Sequence, residues 1–156
     1  MASRREEFLA DLEVIVVAGG ERVTALQAVA DLLKDHGGYR WIGLYDVDHS
    51  GGVVRIIVWS GSGPPEYPEF PITKGLTGAA IAERKSVNIG DVNRDTRYLT
   101  AFGTTRSEII IPVFGQQGAV AGTIDVESER PNAFDAEEQA LLEDCSRSIR
   151  RSWFVL

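Results

Sequence analysis

Ser107-Glu108-Ile109-Ile110-Ile111-Pro112-Val113-Phe114, the turn Gly115-Gln116-Gln117-Gly118, and Ala121-Gly122-Thr123-Ile124-Asp125-Val126-Glu127 together read as a β-hairpin. Strand side chains alternate between faces. Thr123, Asp125 and Glu127 therefore share one face, and Gly122, Ile124 and Val126 the other. On the partner strand Ile109, Ile111 and Val113 point one way, with Glu108 and Ile110 opposite. Three carboxylates on an inner strand face are costly unless a cation or hydrogen-bond donors meet them. Glu108, Asp125 and Glu127 thus suggest a pocket for a polar or positively charged group.

The pattern extends outward from this hairpin. Residues 39–47 and 53–59 are rich in β-branched and aromatic side chains, and His49-Ser50-Gly51-Gly52 joins them as a second hairpin. There Trp41, Gly43 and Tyr45 share a face, with Ile42 and Leu44 behind them. Two aromatics flanking a glycine predict a concave patch, the usual wall of a small-molecule site. Phe8, Leu12, Ile15 and Val16 recur at helical spacing before Gly19-Gly20, and Leu26, Val29, Ala30 and Leu33 do so before Gly37-Gly38. A proline-rich loop, a short strand near 70–73, a short helix opening at Gly75-Leu76-Thr77-Gly78 and a strand over 86–92 follow. Residues 93–105 are polar and aperiodic, as functional loops often are. A last helix starts at Asp135, where Glu138 completes a capping-box pattern. Helices flanking a run of strands predict one α+β domain over 1–156, an antiparallel sheet with the terminal helices on one face and a pocket on the other.

Composition narrows the function. The chain has 156 residues, 44% hydrophobic and 25% charged, ordinary for a soluble globular domain. No apolar run approaches the ~20 residues of a membrane span, and no signal-peptide segment opens the sequence, so a cytoplasmic location is expected. A net charge of -7 argues against nucleic acid, which needs clustered Lys and Arg. Arg147, Arg150 and Arg151 read instead as the basic end of a helix. The single cysteine, Cys145, excludes an internal disulfide, and with only His36 and His49 beside it a metal site has little support. No cofactor is expected.

Trp41-Ile42-Gly43-Leu44-Tyr45, Gly75-Leu76-Thr77-Gly78, Ser107-Glu108-Ile109-Ile110-Ile111-Pro112 and Gly122-Thr123-Ile124-Asp125-Val126-Glu127-Ser128 resemble the GAF domain, and within it the free methionine-R-sulfoxide reductase branch. The likeness runs from about Glu21 to Ile149. It implies a central antiparallel sheet with a pocket opposite the terminal helices. Enzymes of the branch attack the sulfoxide sulfur with a cysteine thiolate and resolve the sulfenic acid as a disulfide. Their acids, which hold the substrate ammonium, match Glu108, Asp125 and Glu127, the last in place of the usual Asp. Their aromatic wall matches Trp41 and Tyr45.

The branch's cysteine positions fall on Thr77, on Ala101 and near Tyr67. A threonine hydroxyl neither ionises near neutral pH nor forms a disulfide. The resemblance therefore implies a retained binding apparatus without the redox apparatus: a non-catalytic GAF sensor for a small ammonium-bearing, amino-acid-like ligand, with Trp41, Tyr45, Thr77, Glu108, Asp125 and Glu127 as binding residues and no catalytic residue. The alternatives are a reductase-like enzyme with an unorthodox nucleophile and an interaction module with a vestigial pocket. Cyclic nucleotides fit poorly, because phosphate would meet three carboxylates. Output is expected through a homodimer, held by terminal-helix residues such as Leu12, Ile15, Val16, Leu141, Leu142, Ile149, Trp153 and Phe154, or through a downstream signalling protein.

Overall fold

The computed structural model describes residues 1–99 and 102–154. Helices α1 (Arg4–Ala18) and α2 (Arg22–Gly37) come first. Ser3 caps α1 through a full capping box with Glu6, and Gly38, in the left-handed conformation at φ 62°, ends α2. Strands β1 (Trp41–Asp48), β2 (Val53–Gly61) and β3 (Glu69–Pro71) precede a short helix, α3 (Gly75–Glu83). Then come β4 (Val87–Ile89), β5 (Ser107–Phe114), β6 (Val120–Ser128), α4 (Ala136–Ser148) and the single turn α5 (Arg150–Trp153).

The six strands form one antiparallel sheet in the order β3-β2-β1-β6-β5-β4. This is the α+β architecture expected. The first and last long segments, β1 and β6, sit at its centre. Period-two alternation sorts their side chains into two cores. Ile42, Leu44, Ile109, Ile111, Val113, Ile124 and Val126 pack with Leu12, Leu26, Leu33, Leu142 and Ile149 under the terminal helices. Trp41, Tyr45, Val54 and Phe70 cluster on the other face, next to a smaller cluster of Leu76, Ala80, Val87 and Ile110 that seats α3.

Three local expectations change. The strand foreseen over 86–92 contracts to Val87–Ile89, with a 3-10 turn over Val92–Arg94. The β5–β6 turn is one residue longer than four, because Phe114 pairs with Val120 across a register shift. Asp135 does cap α4, accepting from the Glu138 backbone N–H, but Glu138 Oε1 has no partner, so the capping box is half formed.

The terminal-helix residues named as a dimer surface lie elsewhere than foreseen. Leu12, Val16, Leu141, Leu142, Ile149 and Trp153 are buried within the monomer core. The helices must cover a six-stranded sheet, which takes most of that apolar surface. Of the residues named, Phe154 is exposed and Ile15 half-buried; Val14, Val17 and Val23, which were not named, are exposed as well.

Candidate functional site

Register brings the acids together. Across β5 and β6, Glu108 stands opposite Glu127 and Ile110 opposite Asp125; across β1 and β6, Trp41 faces Glu127 and Gly43 faces Asp125. Directly opposed side chains on a sheet lie about 4.5–5.5 Å apart at Cβ, and like charges there repel. Carboxylate oxygens of Glu108, Asp125 and Glu127 all come within 4.8 Å of one another. All three residues are buried. None of the ion pairs among the described residues includes any of them.

Burial raises the carboxyl pKa of all three, Glu108 and Asp125 well above the usual carboxylate range. Glu108 is pushed well up by burial, then by the charges of Asp125 and Glu127. Asp125 is pushed well up by burial and by Glu127. Burial also raises Glu127, although Thr105, Glu108, Tyr98, whose hydroxyl donates to Glu127 Oε1 at 3.3 Å, and the Arg40 charge act in the opposite direction. The Tyr45 phenol is raised by burial and by all three carboxylates. Asp125 Oδ1, Glu127 Oε2 and Thr123 Oγ1 are buried without a hydrogen-bond partner.

A cavity opens beside the triad, lined by Tyr45, Phe70, Leu76, Thr77, Leu99, Glu108 and Asp125, with Pro65, Tyr67 and Gly75 completing the wall. The space among them is about 30 Å³, while one water centre needs roughly 10–15 Å³. Two waters fit; an amino acid needs the walls to part. One aromatic layer stands behind it. Phe102 packs on Trp41 with the rings tilted and their centroids 5.5 Å apart, and Arg40 lies 5.1 Å over the Phe102 ring while pairing with Glu129.

Of the residues expected from sequence, Tyr45, Thr77, Glu108 and Asp125 line this cavity. Glu127 completes the triad from beside it. Trp41 is fully buried, donates from Nε1 to the Gly63 carbonyl and does not line the cavity. The concave patch expected at Gly43 is also filled. A Cβ there would meet Trp41 at 2.2 Å and Tyr45 at 2.9 Å, so the glycine makes room for the two rings instead of a ligand. Sequence reasoning missed Phe70, Leu76 and Leu99, single apolar residues in short or irregular segments with no period to mark them.

Thr77 and Tyr67, two of the positions where the reductase branch carries cysteine, both reach the cavity, while Ala101 lies outside the described residues. Cys145 lies across the sheet, in the core under the terminal helices, and burial pushes its thiol up to about 12.

The GAF domain family model matches residues 21–152. GAF domain-containing protein A of Dictyostelium discoideum is 25% identical over 137 residues, 88% of this chain and 84% of that protein. The free methionine-R-sulfoxide reductase of Saccharomyces cerevisiae is 26% identical over 72% of this chain and 62% of its own length. Among solved structures, the free methionine-R-sulfoxide reductase of Neisseria meningitidis in complex with its substrate superposes with a TM-score of 0.89, at 26% identity, covering 98% of this chain and 92% of that one.

Proposed function

The chain belongs to the GAF domain family, and we propose that within it the protein binds a small ammonium-bearing ligand without catalysing a reaction on it. One observation carries this reading: three buried carboxylates that, among the described residues, form no ion pair with any cationic side chain. An ammonium would supply donors to Asp125 Oδ1 and Glu127 Oε2, which have none. Charge-assisted bonds of that kind contribute about 1.5–3 kcal/mol each. Tyr45 and Phe70 would pack on the ligand's apolar part. The likeness to reductases supports the ligand class, since their substrate is an amino acid.

Chemistry separates this protein from those relatives. Thr77 offers the cavity a hydroxyl that stays neutral, and Cys145 faces the other core with its thiol protonated. No thiolate meets a bound sulfoxide, so the disulfide-forming cycle has no first step. The cavity's small volume requires the wall near Leu99 and Tyr67 to move as a ligand enters. That movement is what a second copy of the chain or a downstream signalling protein would read.

A thermal-shift screen tests the reading, with methionine, its sulfoxide and simple primary amines set against acetate and phosphate. A ligand at 100 times its Kd stabilises by about 2.7 kcal/mol. Amines are expected to raise the melting temperature of the wild type and not of Asp125→Asn. Stabilisation by the anions alone would refute the proposal.

A further inference from the structure

We infer that Glu108, Asp125 and Glu127 form a site for one hard divalent cation, of the calcium or manganese class, when no organic ligand is bound. The inference shares the triad with the amine reading but does not depend on it.

Three observations lead there. The first is the donor set. One oxygen from each carboxylate lies within 4.8 Å of the others, close enough for all three to reach a single ion at the 2.3–2.6 Å typical of calcium. The second is unmet demand. Asp125 is 8% exposed and lines the cavity, yet its Oδ1 has no hydrogen-bond partner among the described residues; Glu127 Oε2, beside the cavity, and Thr123 Oγ1, on the same face of β6, are likewise buried without one. A buried acceptor left alone marks a missing ion or water. The third is size. The space beside the triad holds about two waters, which suits an ion with a partial hydration shell and excludes a larger molecule until the walls part.

Charge favours a divalent ion over a monovalent one. Three ionised carboxylates around a single ammonium leave two charges uncompensated, and around a divalent cation only one. Ligand chemistry selects the metal class, since the set is oxygen only. His49 is engaged with the Val120 carbonyl at 2.7 Å, His36 packs on Phe8, and Cys145 is across the sheet. Zinc, which prefers nitrogen and sulfur, is disfavoured. Magnesium demands a near-octahedral shell and gives up water reluctantly, so it should bind more weakly than calcium or manganese. Counting Cys and His in the sequence cannot reveal such a site, because acids distributed over two strands meet only through register.

The test uses the full chain, stripped with a chelator and then melted with calcium, manganese or magnesium chloride up to millimolar concentration. Calcium or manganese is expected to raise the melting temperature, with chelator reversing the shift. Manganese followed by electron paramagnetic resonance should lose its free-ion signal up to one equivalent. Asp125→Asn and Glu108→Gln should each weaken that binding tenfold or more. If Asp125→Asn does not fold, Glu108→Gln and the wild-type resonance titration still decide. No shift with any of the three salts would overturn the inference, and so would equal binding by wild type and variants, which would place the ions on surface acids. Amines assayed in chelator report on the organic pocket alone, so the two readings fail separately. If both hold, manganese should raise the apparent Kd of an amine.

Discussion

Glu108 and Glu127 face each other across β5 and β6, with Asp125 two residues along the same strand face. This is an arrangement that folding alone would not favour. Folding raises the carboxyl pKa values of Glu108 and Asp125, chiefly by burial. The folded state therefore holds protons that the unfolded chain releases. Stability from these groups is fully present below the ordinary carboxylate range and is lost as pH rises toward the raised values. Each unit of upward shift costs about 1.4 kcal/mol once the group is ionised. Melting of the empty protein should thus fall from pH 5 to pH 8, and fall less in Glu108→Gln, which removes one of the repelling charges. The same variant should bind an amine tenfold or more weakly. Loss of the fold in Glu108→Gln, shown by circular dichroism, would mean that the acid serves structure instead. Cys145 carries the opposite expectation. It is fully buried in the helix-side core, so Cys145→Ala should cost about 1 kcal/mol in denaturant unfolding and leave amine binding unchanged.

Helix α3 forms the wall that supplies Thr77 and Leu76. It can approach because Gly78 has no side chain: a Cβ there would meet the Thr73 backbone carbon at 2.5 Å. Backbone cannot rotate away as a side-chain tip can. Gly78→Ala should destabilise by about 1–3 kcal/mol and weaken amine binding through the displaced wall, both measurable by chemical denaturation and calorimetry. Much of the element plan was legible in the sequence. Gly19 and Gly38 end the first two helices, and alternation places Ile124 and Val126 on the core face and Asp125 and Glu127 on the other. Short segments were less so. The strand at Val87–Ile89 and the cavity residues Phe70 and Leu99 owe their positions to long-range packing, which no local period records. Gly43 misled for a related reason: sequence shows where room exists but not which neighbouring ring will take it.

At the scale of the whole molecule, the terminal helices bury Leu12, Leu142 and Ile149 against the sheet and leave Val14 70% and Val17 62% exposed on one side of α1. Val23, at the start of α2, is 48% exposed. Val14 and Val17 lie three residues apart, on one face of α1, and contiguous exposed apolar surface marks interfaces. The proposed homodimer therefore rests on this valine face and not on the buried leucines. Sedimentation at micromolar concentration should show a dimer for the wild type and a monomer for a Val14→Glu, Val17→Glu double variant. A wild-type monomer would remove the second copy from the proposal. No helix among the described residues is long and apolar enough to cross a membrane.

The central claim is that buried acids hold a cationic ligand, and isothermal titration calorimetry with methionine, methionine sulfoxide and n-butylamine at pH 5 and pH 8, in chelator, tests it most directly. Because the empty triad must lose protons before it can receive an ammonium at full strength, amine binding should tighten as pH rises, and the pH dependence should weaken in Glu108→Gln. Binding of an amine that is equally tight at both pH values and unaffected by Glu108→Gln and Asp125→Asn would contradict the account, as would failure of all three compounds while acetate or phosphate binds.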